Sequence, residues 1–480
     1  MAENSNLEPV LLNGRTLEGG GQLVRIAVGL SALTGRPVSI ENVRANRPGK
    51  KGLKRSHAAA VTLLASMSGS KVTGGEVGSQ FLTFFPQSAK SPSGPLVDLT
   101  QVSVKPEYDI NIATAGAICL VFQALYPYIL YVGSQAPAPF VKVKVTGGTN
   151  PSKSPSYDYL AQVIVPNFAK LGLPPLSVTL HKRGWSSGPV DLGAMTFQIH
   201  PLTSKDVSRP KSSSKLSDSE AQSFDAGRFP KIDIMDHERG KITQIDITVL
   251  APDHIRLEAD SLSKEVCTLR KHIEQTARQA LRSATRKIHP STFAPRQTLS
   301  SPESSDDDGE PEIAVPVRMH TSEATYHHSH VYLLLVAHTS TGFRIGHDTL
   351  GSLGSGRAKK QKNKGRNKQR LIHDDRHAFE KDVFSGATEM VRGCVEGFIR
   401  EISNGIPAAE SDSVITPEKK ACLDQHMRDQ IVVFEALGEA CHGTISETAN
   451  EIREDGRDWT LHTRTAQWVC RQVLGEGNGL

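Results

Sequence analysis

Glu18-Gly19-Gly20-Gly21-Gln22-Leu23-Val24-Arg25 opens the stretch that decides how this chain folds, and it continues to Ile40 as EGGGQLVRIAVGLSALTGRPVSI. Three adjacent glycines let the backbone pass close to a ligand with its N–H groups turned toward phosphate oxygens. Leu23, Ile26, Ala27, Leu30 and Leu33 recur at helical spacing, so the glycines precede a helix whose N-terminus favours negative charge. After Thr34-Gly35, the run Pro37-Val38-Ser39-Ile40 reads as a short strand. Within the first eight residues Glu18 offers a metal ligand, Gln22 a hydrogen-bonding arm and Arg25 an anion clamp. A glycine turn that merely joins strand to helix has the same appearance, so the argument must come from what surrounds it.

Outward from the strand come Arg44-Ala45-Asn46-Arg47, a basic loop Pro48–Gly52, and Leu53-Lys54-Arg55-Ser56-His57 opening a second helix. Arginines three apart beside a glycine turn suit bidentate phosphate binding better than core packing. Helical spacing over Val61–Met67, Ile118–Leu125 and Tyr159–Leu171 is separated by β-rich runs at 80–85, 139–145 and 176–181. This alternation argues α+β or α/β layers built from repeated sheet-and-helix units. A different unit follows, with a strand near Lys241–Leu250, a helix at 260–286 and a strand at Val331–Ala337. The chain then returns to helices around Ala387–Ile402 and through Asp429, and to a last strand-to-helix step at His462.

At 480 residues two or more domains are expected. The six cysteines, at 119, 267, 394, 422, 441 and 470, show neither metal-ligand spacing nor a secreted framework, and read as reduced thiols. MAENSNLEP lacks the basic and apolar regions of a signal peptide, and no uninterrupted apolar run reads as a membrane span, so no membrane partner is expected. The net charge of +5 is too small to argue nucleic-acid binding by itself. Residues 203–224, 298–312 and 354–370 read as disordered insertions. The last, GSGRAKKQKNKGRNKQR, reads equally as a nuclear import signal, an RNA-backbone arm or a solvated loop.

Taken together the motifs resemble the RNA 3′-terminal phosphate cyclase family. The matching segments are EGGGQLVR at 18–25, VRANR at 43–47, GLKRSHAAAV at 52–61, TAGA at 114–117, VFQALYP at 121–127, GGTN at 147–150, AHTSTG at 337–342, DQIVVF at 429–434 and LHTRTA at 461–466, in the family's order. The resemblance implies a large catalytic domain of repeated β-sheet and paired-helix units, from 1–239 and 349–480, interrupted by a small inserted α/β domain at 240–348. It implies ATP-dependent conversion of an RNA 3′-terminal phosphate to a 2′,3′-cyclic phosphodiester, with release of AMP and diphosphate, a ligase-class reaction. His462 would carry AMP covalently, and Glu18 would bind Mg²⁺ or Mn²⁺ on the triphosphate. Arg25, Arg44 and Arg47 would hold ATP phosphates or the RNA end, with Gln22, Gln123, Asp429 and Gln430 as further nucleotide contacts. Pro155 and Tyr159 would line one side of the adenine pocket and His426 the other. Asp429 read as a helix cap and Gln123 read as a buried amide both stay open.

The chain departs from the family pattern at four places. Ser56 replaces the usual glutamine before His57, after a loop one residue longer, which leaves His57 only a candidate for the RNA end. His426 replaces a tyrosine and stacks over less area. The stretch Trp185-Ser186-Ser187-Gly188-Pro189-Val190 replaces a glycine-rich turn. The expected partners are ATP, RNA with a 3′-terminal phosphate and, through 357–370, a nuclear import receptor. Nuclear residence is favoured, with cytoplasm as the alternative. Rival readings are a cyclase-like protein without cyclase activity in ribosomal RNA processing, an RNA-end-binding module, and a small-molecule transferase of enolpyruvyl-transfer architecture; an intact Glu18 and His462 oppose the first.

Overall fold

The computed structural model describes residues 8–88, 91, 94–202, 227–258, 266–295, 315–351, 368–403, 421–443 and 460–475. The insertions expected at 203–224 and 298–312 lie outside these residues, as does the basic run at 354–370 as far as 367. Mixed α and β structure in several small sheets bears out the α+β expectation. Packing divides the chain into two compact units, one of 1–184, 191–237 and 425–480, the other of 185–190 and 238–424.

In the first unit β1 (Val10–Asn13) is followed by α1 (Gly21–Thr34), β2 (Val38–Glu41), α2 (Arg55–Ser68), β3 (Lys71–Thr73) and β4 (Leu82–Phe85). The sheet order is β1-β2-β4-β3, with β1 parallel to β2 and the other pairs antiparallel. The pattern then recurs. β5 (Glu107–Asn111), α3 (Ile118–Val132), β6 (Val141–Gly147), α4 (Tyr157–Tyr159), a wider π turn at Leu160–Ile164, α5 (Val165–Lys170), β7 (Leu176–Lys182) and β8 (Gly193–Ile199) build a sheet ordered β5-β6-β8-β7. Its parallel and antiparallel pairs match those of the first.

Helix α1 is apolar on nearly every side because it packs against both α2 and α3, and it ends where Gly35, in a left-handed conformation, bonds back to Ser31. One expectation needs correction. Ile118–Gln135, which includes α3, is long and apolar enough to cross a membrane by length and composition. Most of it is buried inside this unit, with Phe122 stacked on Phe197 at 4.4 Å and Tyr126 on Phe168 at 5.3 Å.

The second unit contains β9 (Ile242–Pro252), β10 (Arg256–Glu258), β11 (Val266–Thr268), α6 (Leu269–Thr285), β12 (Val317–Thr325), β13 (Val331–Thr339), β14 (Arg344–Gly351) and α7 (Lys368–Ser403). Its sheet runs β12-β9-β13-β14, with β12 at an edge and parallel to β9. Leu269, Ile273, Ala277 and Leu281, four apart on α6, bury one stripe in a core with Ile245, Ile247 and Val249 of β9. Helix α6 begins at Leu269 rather than near 260, because Thr268 caps it by accepting from the Lys271 N–H.

Helix α7 packs on α6 and β14, so the second unit continues well past the 348 boundary read from the sequence. The 185–190 segment also belongs here. Trp185 stacks on His330 at 4.8 Å, and the Ser187 hydroxyl donates to the Ser329 carbonyl at 2.9 Å.

The first unit is completed by α8 (Gln425–His442) and α9 (Leu461–Leu474). Helix α9 packs against both α1 and α8. Thr460 caps its start by accepting from the Thr463 N–H at 2.9 Å. The Arg36 guanidinium, in the loop after α1, donates to the carbonyls of Val473 at 2.7 Å and Gly475 at 3.2 Å, placing a cation at the helix C-terminus.

Candidate active site

Helices α1, α2 and α9 bring their opening turns, with Gln22, His57 and His462, to one place in the first unit, and α8 adds Asp429 from its second turn. Helix N-termini turn unpaired N–H groups and positive dipole ends toward whatever sits between them, so the place favours an anion. Two direct contacts join the halves of the chain. His462 Nδ1 lies 3.0 Å from Gln22 Oε1 and 3.2 Å from Glu18 Oε2. The Glu18 N–H also donates to Thr465 Oγ1 at 3.2 Å.

The state of His462 follows from its neighbours. Both groups facing Nδ1 are acceptors, so Nδ1 carries the proton. In the neutral imidazole the lone pair is then on Nε2, which has no hydrogen-bond partner among the described residues, and the side chain is 47% exposed. The Glu18 contact and charge, with help from Asp429, raise the His462 pKa against the opposing effects of burial and Arg47. Burial pushes Glu18 upward, but His462, Arg47 and Arg25 together outweigh it and hold the carboxyl below its ordinary range. Glu18 Oε1 pairs with Arg47 at 2.8 Å. Its Oε2 is buried and makes no directed hydrogen bond, meeting His462 only as an ion contact.

Asp429 is held by α9. Its Oδ1 accepts from Thr460 Oγ1 at 3.1 Å and from Thr463 Oγ1. Burial raises its pKa, and those two hydroxyls and His462 only partly offset the rise. Thr460, Thr463 and Thr465 are the functional side chains that sequence reasoning missed. A threonine just before an amphipathic helical run is an N-cap signal and points to Thr460.

Gly20 and Gly21 make room for side chains of this same chain. A Cβ at Gly20 would stand 2.4 Å from Glu18 Oε1, and one at Gly21 would stand 2.2 Å from His57 Nε2. His57 is buried, and its Nδ1 accepts from the Lys54 N–H at 3.2 Å, so Nε2 bears the proton. Burial, with Arg25, Arg44 and Lys54 nearby, depresses its pKa to about 3, so the ring is neutral near pH 7.

The arginines separate by partner. Arg47 is on Glu18, whereas Arg44, itself in a left-handed conformation, donates to the Lys50 carbonyl at 2.8 Å. Arg25 is half-buried and makes no hydrogen bond among the described residues. Burial chiefly lowers its pKa, to about 10, with Glu18 opposing and Arg47 adding to the fall. It stays charged at neutral pH, with five donors in a partly desolvated place.

Arg25, Gln22 and Asp429 also line an apolar cleft together with Phe122, Tyr126 and Phe434. The Gln123 and Gln430 side chains lining this cleft bond to each other. The Tyr126 hydroxyl is buried with no partner. The residues expected around adenine are less uniform in placement. His426 is exposed, Pro155 half-buried, and Tyr159 buried, its ring edge-on to His426 at 6.3 Å and 84°.

The family model for "RNA 3'-terminal phosphate cyclase" matches residues 16–477, a span that holds both Glu18 and His462. The chain belongs to the RNA 3′-terminal phosphate cyclase family. Among relatives named RNA 3′-terminal phosphate cyclase, that of Koribacter versatilis is 36% identical over 196 residues, 41% of this chain and 49% of the relative. That of Pyrococcus furiosus is 39% identical over 164 residues, 34% of this chain and 42% of the relative. That of Saccharolobus solfataricus is 37% identical over 173 residues, 36% and 45% of the two chains. This cyclase-family chain thus spans about half the length of the curated relatives it matches.

Proposed function

We propose that the chain is an ATP-dependent RNA 3′-terminal phosphate cyclase with His462 as its nucleophile. The observation that carries this reading is the meeting of His462 Nδ1 with Gln22 Oε1 at 3.0 Å and Glu18 Oε2 at 3.2 Å, two acceptors that favour the proton on Nδ1 and the lone pair on Nε2. In the first step Nε2 attacks the α-phosphorus of ATP; the N–P bond forms, the bond to the bridging oxygen breaks and diphosphate leaves. Positive charge on the ring is stabilised by Glu18. An oxygen of the RNA 3′-phosphate then attacks the same phosphorus, the P–N bond breaks and the imidazole is restored. Finally the neighbouring 2′-oxygen attacks the RNA phosphorus, loses its proton and expels AMP.

A phosphate-binding role for Arg25 is supported by its side chain having no hydrogen bond among the described residues, and the helix N-termini add to the attraction. Glu18 Oε2, buried without a directed hydrogen bond, suits a hard cation, so Glu18 with the triphosphate oxygens would hold Mg²⁺ or Mn²⁺. Such an ion would draw charge from the leaving diphosphate.

The test is covalent labelling with ATP radioactive at the α-phosphate, comparing wild type with His462→Ala. The expected result is acid-labile label on wild type alone, followed by cyclisation of a 3′-phosphorylated oligoribonucleotide. Label that persists in His462→Ala, or none in wild type with either metal, sinks the nucleophile assignment and favours RNA-end binding without turnover.

A further inference from the structure

Helix α6 has two faces of opposite character. Leu269, Ile273, Ala277 and Leu281 are buried along one. At about 100° per residue, Lys271, Gln275, Arg278 and Arg282 fall within a narrow arc on the other, and Arg286 continues it past the helix end. Between Arg270 and Lys287 stand six Arg or Lys residues against one acid, Glu274. That acid does not neutralise the ridge. Glu274 faces Arg270 at 3.5 Å and accepts from the Ser322 hydroxyl, while Arg270 is also bonded twice to Asp253, at 3.0 and 2.8 Å.

The Arg270 hydrogen bond chiefly, and the charge of Lys271 in part, hold the Asp253 carboxyl below its ordinary range, so one acid stands near the start of the ridge. Lys271 and Arg282 are exposed, and their side chains have no bonded partner among the described residues. Among the described residues Arg278 donates to a backbone carbonyl, that of Val317 at 3.2 Å, and to no carboxylate. The same contact sets the ridge beside edge strand β12, whose Arg318 and His320 are also exposed. An ordinary solvated helix face mixes both signs; this one carries a single sign along a line. Arg278 and Arg282 stand about 6 Å apart along the axis, a step comparable with that between phosphates of an RNA strand, and Lys271 lies about 10 Å before Arg278. No aromatic side chain stands in the arc to stack bases, so its chemistry addresses the backbone and not the sequence.

We propose that the α6 ridge of Lys271, Arg278 and Arg282 is a second RNA contact, which takes backbone phosphates without sequence preference. The proposal rests on RNA being the substrate class. Its test is fluorescence anisotropy of a labelled 20-nucleotide RNA, with and without a 3′-phosphate, across a potassium chloride series. Wild type is compared with Lys271→Gln/Arg278→Gln/Arg282→Gln. Three lost contacts should lower the slope of log K against log salt by about 2, at roughly 0.7 per single-strand phosphate.

Preference for the 3′-phosphate and covalent labelling by ATP should both be unchanged, since neither depends on the ridge. Loss of labelling in wild type would therefore count against the proposed adenylation and leave this test intact. Arg282→Glu alone, at an exposed position, guards against misfolding of the triple variant and should lower the slope by at least about 0.7. An unchanged slope in both variants overturns the proposal. So does an unchanged RNA slope together with lost binding to phosphatidylserine vesicles, which would assign the ridge to a lipid surface.

Discussion

Replacing Gly21 by alanine tests whether the glycines serve the ligand or the protein's own packing. Gly21 opens α1 and is not among the positive-φ residues, so its backbone suits alanine. On propensity and unfolded-state entropy alone, Gly21→Ala should stabilise by about 0.4–1 kcal/mol. The structure predicts the opposite sign. The new Cβ would lie 2.2 Å from His57 Nε2 and 2.4 Å from Cε1. Normal contact is about 3.5 Å, so the ring must retreat by roughly 1.3 Å. His57 is only 3% exposed and is pinned through Nδ1 by the Lys54 N–H, so it has little room to move.

Overpacking of this kind costs about 1–3 kcal/mol, and a loosened cap at the start of α2 adds to it. A net loss of about 2 kcal/mol lowers the thermal midpoint by roughly 4–8 °C in a unit of this size. Differential scanning fluorimetry on wild type, Gly21→Ala, His57→Ala and the double variant completes a cycle. On the His57→Ala background the alanine should become neutral or stabilising, giving a coupling of at least about 1 kcal/mol. If Gly21→Ala melts at or above the wild-type midpoint, or loses as much without His57 as with it, the packing argument is wrong.

Adenylation should increase with pH through the raised His462 pKa, above 6.5, since attack requires the neutral ring; Glu18→Gln should move that rise to lower pH, read from single-turnover labelling. The same pair stabilises the fold fully below pH 6.5, an effect lost as pH rises through the raised folded value, so the variant's midpoint should depend less on pH across that window. Arg36→Ala removes both carbonyl contacts at the end of α9 and should destabilise by about 1–2 kcal/mol in urea denaturation, while ATP labelling of the folded fraction persists.

Local patterns in the sequence located much of this site. The glycine turn, the helix after it and the segment around His462 were each legible because their signals lie within a few neighbouring residues. Glu18, Gln22 and His462 do meet. What could not be read were pairings fixed by distant elements. Three arginines of similar local appearance end in three situations: Arg47 on Glu18, Arg44 on its own loop, Arg25 uncommitted. The glycines looked like a phosphate cradle, yet Gly20 and Gly21 are surrounded by Glu18 and His57. The extension of the second unit through α7 was hidden because a highly charged helix start carries little apolar periodicity.

Helix α9 is the last described element to leave the ribosome, and α1 is the first helix. Their contacts join residues separated by 440 and 447 positions. A nascent chain must therefore wait with one flank of α1 uncovered until α9 has been made, which exposes apolar surface while the intervening residues are synthesised. Closing so long a loop also costs conformational entropy that the packing of α9 on α1 and α8 must offset. A chain released before α9 would lack the helix that shields α1, so such a truncation product would be prone to aggregate.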